Sequence, residues 1–311
     1  MNKTYKVWVS DEFDEKPFKD WANLEGRVTL VYGSFSEDAK DANIAITRSK
    51  TKFTKERIHE MQNLECLISA THGFEHVNVD CLNEKGIKFY NVPVQSYDVA
   101  QGVMANIFNR ATRLVEADRS MKRGEWEKKE MKGFRVKGKA IGIIGYGRIG
   151  KEVAKMTSAV GMNVFVYDPY SKERNGGVNF VDDLDKLLEI SDFISLHVPL
   201  NEETRHLIGR KEIKKMKKGA YLINASRGGI VDEGALLKGL KTGKLSGAAL
   251  DVFDYNPPFG KNTSGKLTER EDVIATPHSI GQTQDAYDEK HEGSITCAKD
   301  FINNDNKIKC E

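Results

Sequence analysis

Short apolar runs recur along the chain and alternate with polar segments of helical period. In the first ninety residues they lie at 6–9, 27–32, 43–47, 66–70 and 88–92. Runs of this length between helical or turn segments read as strands buried on both faces of a parallel sheet, so the alternation predicts an α/β layer complete before residue 95. Residues 96–123 then place Val99, Val103, Ile107, Leu114 and Met121 at helical spacing. That spacing predicts one continuous helix, about 40 Å long at ~1.5 Å per residue. A second series of strands opens at Ala140 and continues at 163–168, 192–198, 220–225, 247–252 and 273–276, with helices such as 232–241 between them. A last helical segment, 283–303, remains after that layer closes. The pattern predicts one α/β domain, 96–282, inserted into a smaller one made of 1–95 and 283–311.

One segment of the second layer adds chemistry. Ala140-Ile-Gly-Ile-Ile-Gly-Tyr-Gly-Arg-Ile-Gly150 is an apolar strand that ends in Gly145-x-Gly147-x-x-Gly150 and runs into a helical pattern. Gly145 permits the tight turn, Gly147 lets backbone approach a pyrophosphate, and Gly150 lets the helix pack on the strand. The helix N–H groups then face the phosphates. The next strand, Asn163-Val-Phe-Val-Tyr-Asp168, ends in an acid about 20 residues on, where a carboxylate bonds the adenosine ribose hydroxyls. Strand, loop, helix and acid together predict a Rossmann-type, doubly wound sheet that binds a dinucleotide.

Composition narrows the partners. A net charge of +2 with 30% charged residues in 311 gives no dominant field, which argues against a nucleic-acid partner. No apolar run approaches bilayer length, and the N-terminus enters a strand directly rather than an export signal. Cys66, Cys81, Cys297 and Cys310 are scattered. They suggest neither a zinc site nor a disulfide framework, no metal is expected, and the reading is a cytoplasmic protein. The basic stretch 122–139 is interleaved with Glu125, Glu127 and Glu130 and reads as a solvated surface.

With the glycine loop in mid-chain, three further motifs resemble the D-isomer-specific 2-hydroxyacid dehydrogenases. Asp192-Phe-Ile-Ser-Leu-His-Val-Pro-Leu200 with Thr204 looks like the strand that passes the cofactor ribose. Asn224-Ala-Ser-Arg-Gly-Gly-Ile-Val-Asp-Glu-Gly-Ala-Leu236 looks like the arginine signature. Ala248-Ala-Leu-Asp-Val-Phe253 and Thr276-Pro-His-Ser279 look like the acid and histidine segments. The likeness runs from about residue 44 to 300, and Gly124-Glu-Trp-Glu-Lys-Lys with Arg48-Ser-Lys-Thr-Lys52 looks most like phosphoglycerate dehydrogenases. It implies a smaller flavodoxin-like α/β substrate domain, NAD as cofactor, and a homodimer formed through the segment after Val92.

The resemblance also implies roles. Gly145, Gly147, Arg148, Ile149, Gly150, Asp168, His197, Pro199, Thr204, Ala225 and Asp251 fall at cofactor positions, with Asp251 on the nicotinamide carboxamide. His197 is read as a cofactor-side or core histidine inside a buried strand. Arg227 has a planar, permanently charged fork suited to a carboxylate. Taken alone, an ion-paired arginine at a strand end fits it equally well, and the resemblance decides for substrate. His278 suits acid/base work because imidazole titrates near working pH, although a strand-end histidine bonded to backbone has the same appearance.

Arg48, Lys52, His72, Gly73, Phe74 and Lys128 fall at substrate positions, Gly73 and Phe74 as backbone donors. For Lys52 and Lys128 a solvated surface lysine is the equal alternative. Gln101 stands where relatives often carry glutamate, without a mechanistic account.

Asn256 departs from the pattern. The family usually has a glutamate before the proline of this segment, here Pro257, where it orients the histidine and stabilises its charged form. An amide oxygen can still accept the imidazole N–H but supplies no charge, so His278 is expected to be less basic. Asp254 offers a substitute carboxylate through a register shift. The implied reaction is hydride transfer between NAD and a D-2-hydroxy or 2-keto acid, with 3-phosphoglycerate favoured and hydroxypyruvate or glyoxylate next. Formate dehydrogenases, which use an amide at this position, and NAD-sensing corepressors of the same fold are the further alternatives.

Overall fold

The five apolar runs of the first ninety residues pair in parallel in a computed structural model that describes residues 3–71, 73–174 and 177–303. They are β1 (Tyr5–Val9), β2 (Val28–Tyr32), β3 (Ile44–Thr47), β4 (Cys66–Ser69) and β5 (Lys88–Asn91), in the order β2-β1-β3-β4-β5. This is the flavodoxin-like order. β3 and β4 are buried at every position, as strands covered on both faces must be. The helix Gln284–Asn303 covers one face with Cys297, Ala298 and Ile302, beside Phe18 and Trp21 of the helix Glu15–Glu25. Trp8, Phe53, Ile58 and Leu82 fill the other face.

The remaining strands form a second parallel sheet. They are β6 (Ala140–Ile144), β7 (Asn163–Tyr167), β8 (Asn179–Phe180), β9 (Phe193–Leu196), β10 (Ala220–Asn224), β11 (Leu245–Leu250) and β12 (Val273–Ala275), in the order β12-β11-β10-β9-β6-β7-β8. Counted from β6 the order is the Rossmann one, with one strand added at the far edge. Ile107, Val153, Ala154 and Val166 pack one face, and Leu187, Ile213, Leu236 and Leu267 pack the other, so the sheet is doubly wound. The chain divides into two units accordingly, one holding the residues up to Gln95 and from Thr283 onward, the other Ser96–Gln282.

The fold departs from the expected elements and cysteine state as follows. The long helix is two, Ser96–Thr112 and Leu114–Lys122, because Arg113 adopts a left-handed φ of 57°. Asn109 Oδ1 accepts the Val115 N–H at 2.9 Å and so restarts the helix beyond the break. β8, two residues long, is too short to leave a periodic signal. Cys66 and Cys81 are free and buried, but Cys297 is disulfide-bonded, so the cysteines are not all unpaired thiols. Among the described residues no helix is long and apolar enough to cross a membrane.

Candidate active site

The glycine loop leaves β6 at the carboxyl edge of the second sheet and becomes the N-terminus of the helix Arg148–Ala159, with Gly147 as its cap. A Cβ on Gly145 (φ 94°) would lie 2.4 Å from the His197 carbonyl oxygen, and one on Gly150 would lie 2.2 Å from that of Gly145. Both positions are closed by backbone, so no side chain fits there. A Cβ on Gly147 would meet nothing within 4 Å. Gly147 is therefore bare toward open space, as the approach of a pyrophosphate requires. Arg148 is exposed beside it and Ile149 half-buried.

Asp168, just past β7, accepts the Tyr146 N–H at 2.7 Å on one oxygen and those of Tyr170 (2.8 Å) and Ser171 (3.0 Å) on the other. Three backbone donors hold its charge beside the loop. A dinucleotide fits this donor set, with main-chain N–H groups for the phosphates and a fixed carboxylate for a ribose. His197 lies one residue beyond β9 rather than inside it, half-buried, with Nε2 2.8 Å from Ser195 Oγ. Thr204 Oγ1 donates to the Pro199 carbonyl at 2.6 Å and closes that turn. Ala225 follows β10 directly and is half-buried.

Arg227 lies three residues past β10. The buried Asn224 places it by donating from Nδ2 to the Arg227 carbonyl (2.9 Å) and accepting the Ser226 N–H on Oδ1 (3.1 Å). A Cβ on Gly228 would lie 2.1 Å from the Phe253 carbonyl oxygen, so only glycine lets this loop meet the turn after β11. That turn carries Asp251, which is 3% exposed. Its Oδ1 accepts Thr276 Oγ1 (2.5 Å), Ser279 N–H (2.8 Å) and Ile280 N–H (3.2 Å), and its carbonyl accepts His278 N–H (3.0 Å). His278 takes a left-handed φ of 53°, a conformation a non-glycine residue holds only when its surroundings fix it. Asp251 is the part of those surroundings that bonds the segment from both sides.

Arg227, Asp251, Asn256 and His278 line one cavity of about 260 Å³, walled by Pro257, Pro258 and Phe259. No hydrogen bond joins Asn256 to His278, and both are exposed. Asp254 does not line the cavity. Its carboxyl is pushed up by desolvation, against the pull of His206.

The turn that carries Asn256 hangs from Glu233, which is 4% exposed. Glu233 accepts the Asp254 N–H (2.9 Å) on one oxygen and the Ser264 hydroxyl (2.6 Å) on the other. Burial pushes its carboxyl above the ordinary range more strongly than these two bonds lower it. Sequence reasoning missed Asn224 and Glu233 as supports of the site. The only available signal was a polar residue at an otherwise apolar strand end and an acid directly after the Asp232 helix cap.

In the first unit, Arg48 follows β3 and is half-buried, while Lys52 is exposed. Gly73 and Phe74 follow β4, and neither donates its N–H to any described residue, which leaves two backbone donors for an anion. His72 lies outside the described residues. Lys128 is exposed on a loop of the second unit, and Gln101 is exposed on its first helix.

Residues 104–279 match the family model "D-isomer specific 2-hydroxyacid dehydrogenase, NAD binding domain". The chain belongs to the D-isomer-specific 2-hydroxyacid dehydrogenases. Its second unit carries that family's NAD-binding domain. It is 39% identical over 297 residues to a D-3-phosphoglycerate dehydrogenase of Methanocaldococcus jannaschii, covering 93% of this chain and 56% of the relative. The chain thus spans little more than half of that relative's length. With a hydroxypyruvate reductase of Thermotoga maritima it shares 40% over 287 residues, 91% of this chain and 93% of the other. Among solved structures, a D-lactate dehydrogenase from Aquifex aeolicus, complexed with NAD and lactic acid, superposes with a TM-score of 0.85 at 29% identity over 96% of both chains.

Proposed function

We propose that the chain is an NAD-dependent D-2-hydroxyacid dehydrogenase whose favoured substrate is 3-phosphoglycerate. The observation that carries this reading is the shared cavity. A permanent cation, Arg227, and a titratable imidazole, His278, open on the same space at the carboxyl ends of β10 and β12, where ligands bind in such sheets.

Bound NAD supplies hydride exchange at its nicotinamide ring. Arg227 grips the substrate carboxylate and polarises the C2 oxygen. On oxidation a ring nitrogen of His278 takes the C2 hydroxyl proton as the C2 hydrogen leaves with its electron pair, and on reduction it returns the proton. Asn256 replaces a carboxylate beside the imidazole, so the protonated form lacks a counter-charge. Asp168 holds a fixed negative charge where a 2′-phosphate would sit, which favours NAD over NADP. Gly73 and Phe74 are assigned as backbone donors to the substrate carboxylate, and Arg48, Lys52 and Lys128 as cations for its phosphate.

A second reading, hydroxypyruvate or glyoxylate reduction, is favoured by the Thermotoga relative, with which the chain shares 40% identity over 287 residues. NADH oxidation with phosphohydroxypyruvate, hydroxypyruvate and glyoxylate decides between them. The phosphorylated acid is expected to show the highest kcat/KM. A lead for hydroxypyruvate overturns the substrate assignment, and tight NADH binding with no turnover on any acid overturns catalysis in favour of a sensor.

We assign the protein to the cytoplasm and to a homodimer. The dimer reading rests on Phe108, Leu114, Met121 and Trp126, which are large apolar side chains exposed along one stretch of the second unit.

A further inference from the structure

We infer that Tyr287 and Glu12 are positioning residues that keep the Arg48 guanidinium free of protein carboxylates and open to an anionic group of the substrate. The inference rests on the proposed assignment of Arg48 to the substrate side and names the device that makes the assignment work.

A half-buried arginine is always charged and ordinarily pairs with a carboxylate. Arg48 forms no ion pair with any described residue, although Asp11 and Glu12 lie in the loop that follows β1. Both are committed elsewhere. Glu12 Oε2 accepts the Arg48 main-chain N–H (3.2 Å) and Oε1 accepts that of Lys50 (3.0 Å). Asp11 holds the Lys50 ammonium with both oxygens at 3.0 Å. Lys50 is thereby neutralised as well, and Arg48 is left as the uncompensated cation at the end of β3. Its Nη1 reaches only a neutral acceptor, the Glu12 carbonyl, at 3.2 Å. Its Nε is buried and has no partner. A buried charged donor without an acceptor is costly, and a carboxylate or phosphate oxygen would satisfy it in the planar geometry that guanidinium prefers.

Tyr287 fixes where that fork lies. Its ring sits 5.5 Å from the Arg48 guanidinium carbon, and its hydroxyl donates at 2.8 Å to the same Glu12 carbonyl that Arg48 uses. His291, one turn on, braces it. Nδ1 bonds the Tyr287 carbonyl (2.7 Å) and Nε2 accepts the Asp14 N–H (3.0 Å). Tyr32 donates to the Phe13 carbonyl at 2.7 Å. The loop is therefore tied at three successive residues, and Arg48 lies between it and the ring of Tyr287.

The test uses the full chain and compares Tyr287→Leu, which removes ring and hydroxyl, with Tyr287→Phe, which keeps the ring. Steady-state kinetics are read on phosphohydroxypyruvate and hydroxypyruvate, with inorganic phosphate as competitive inhibitor. Tyr287→Leu is expected to raise KM for the phosphorylated acid and Ki for phosphate by about five- to twentyfold, the range of a partly desolvated cation–π contact. The change is confined to those constants, and Tyr287→Phe falls between Leu and wild type. If KM rises in proportion for both acids, or Ki for phosphate stays put in Tyr287→Leu, the inference is overturned. A wild type that does not prefer the phosphorylated acid defeats the 3-phosphoglycerate reading alone. The phosphate Ki then still decides the role of Tyr287.

Discussion

At Asn256 an amide lines the cavity that His278 and Arg227 share, at the position where the family resemblance implies a carboxylate. A carboxylate in reach of an imidazole favours the protonated ring, typically by about one to three pH units. Asn256→Glu is therefore expected to raise the pKa that limits 2-keto acid reduction by about one unit or more. The alkaline limb of the kcat/KM profile should move to higher pH. A profile that stays in place would show that Asn256 does not face the imidazole during turnover. The geometry of His278 is set elsewhere, by the bonds of Asp251 to residues 276, 278, 279 and 280. That division separates what positions the ring from what tunes it. Asn256 can therefore change without moving His278.

Among the elements, strand ends are where legibility in the sequence changes. The central parallel strands were readable because both their faces are apolar, and the turn from β6 into its helix because glycine is demanded at fixed spacings. The break at Arg113 was not. Beyond it the Asn109 side chain accepts the Val115 N–H and restarts the helix, and the periodicity of Val103, Ile107 and Leu114 runs through it undisturbed. Arg227 and His278 stood out only through the family resemblance, since each taken alone also fits a strand-end residue, and their supports did not stand out at all. Asp254 lies 21 positions from Glu233 and Ser264 lies 31 from it, and only the packed fold brings such partners together.

Two predictions belong to these elements. Gly147→Ala has room for its methyl group and a φ of −77° that any residue adopts. It should leave Tm within a degree or two and weaken NADH, titrated by fluorescence, by roughly tenfold, or ~1.4 kcal/mol. A large loss of Tm with unchanged NADH binding would contradict the role given to that backbone.

Glu233 gives a pH dependence. Its folded pKa is raised by burial, so the folded state holds the proton more tightly than the unfolded chain. Stability from this group is complete below the ordinary glutamate range and is lost as pH rises through the raised value. Glu233→Gln keeps an acceptor for Asp254 and a donor for Ser264. It should flatten the Tm–pH curve in that interval and relatively stabilise the protein above it. An unaltered slope would mean that Glu233 does not titrate there.

For the whole molecule, the exposed apolar side chains of the second unit matter most. Trp126 is 78% exposed and Leu114 65%, apolar surface that the proposed dimer would cover. Trp126→Asp is expected to weaken self-association by about thirtyfold or more, the scale of an interface hot spot near ~2 kcal/mol. Sedimentation should show it as a shift toward monomer at micromolar concentration, and an unmoved equilibrium would place the contact elsewhere.

The chain also enters and leaves its second unit once each, at Gln95 and Thr283. During synthesis the strands β1–β5 emerge before the second unit, but the helix that supplies Cys297, Ala298 and Ile302 to their core emerges after it. At a translation rate of ~5–20 residues per second, the 187 residues of Ser96–Gln282 delay that cover by roughly ten to forty seconds. The unit whose strands are made first thus receives part of its core only after the whole second unit has been made. In that interval its uncovered sheet face is exposed to chaperones and to neighbouring chains.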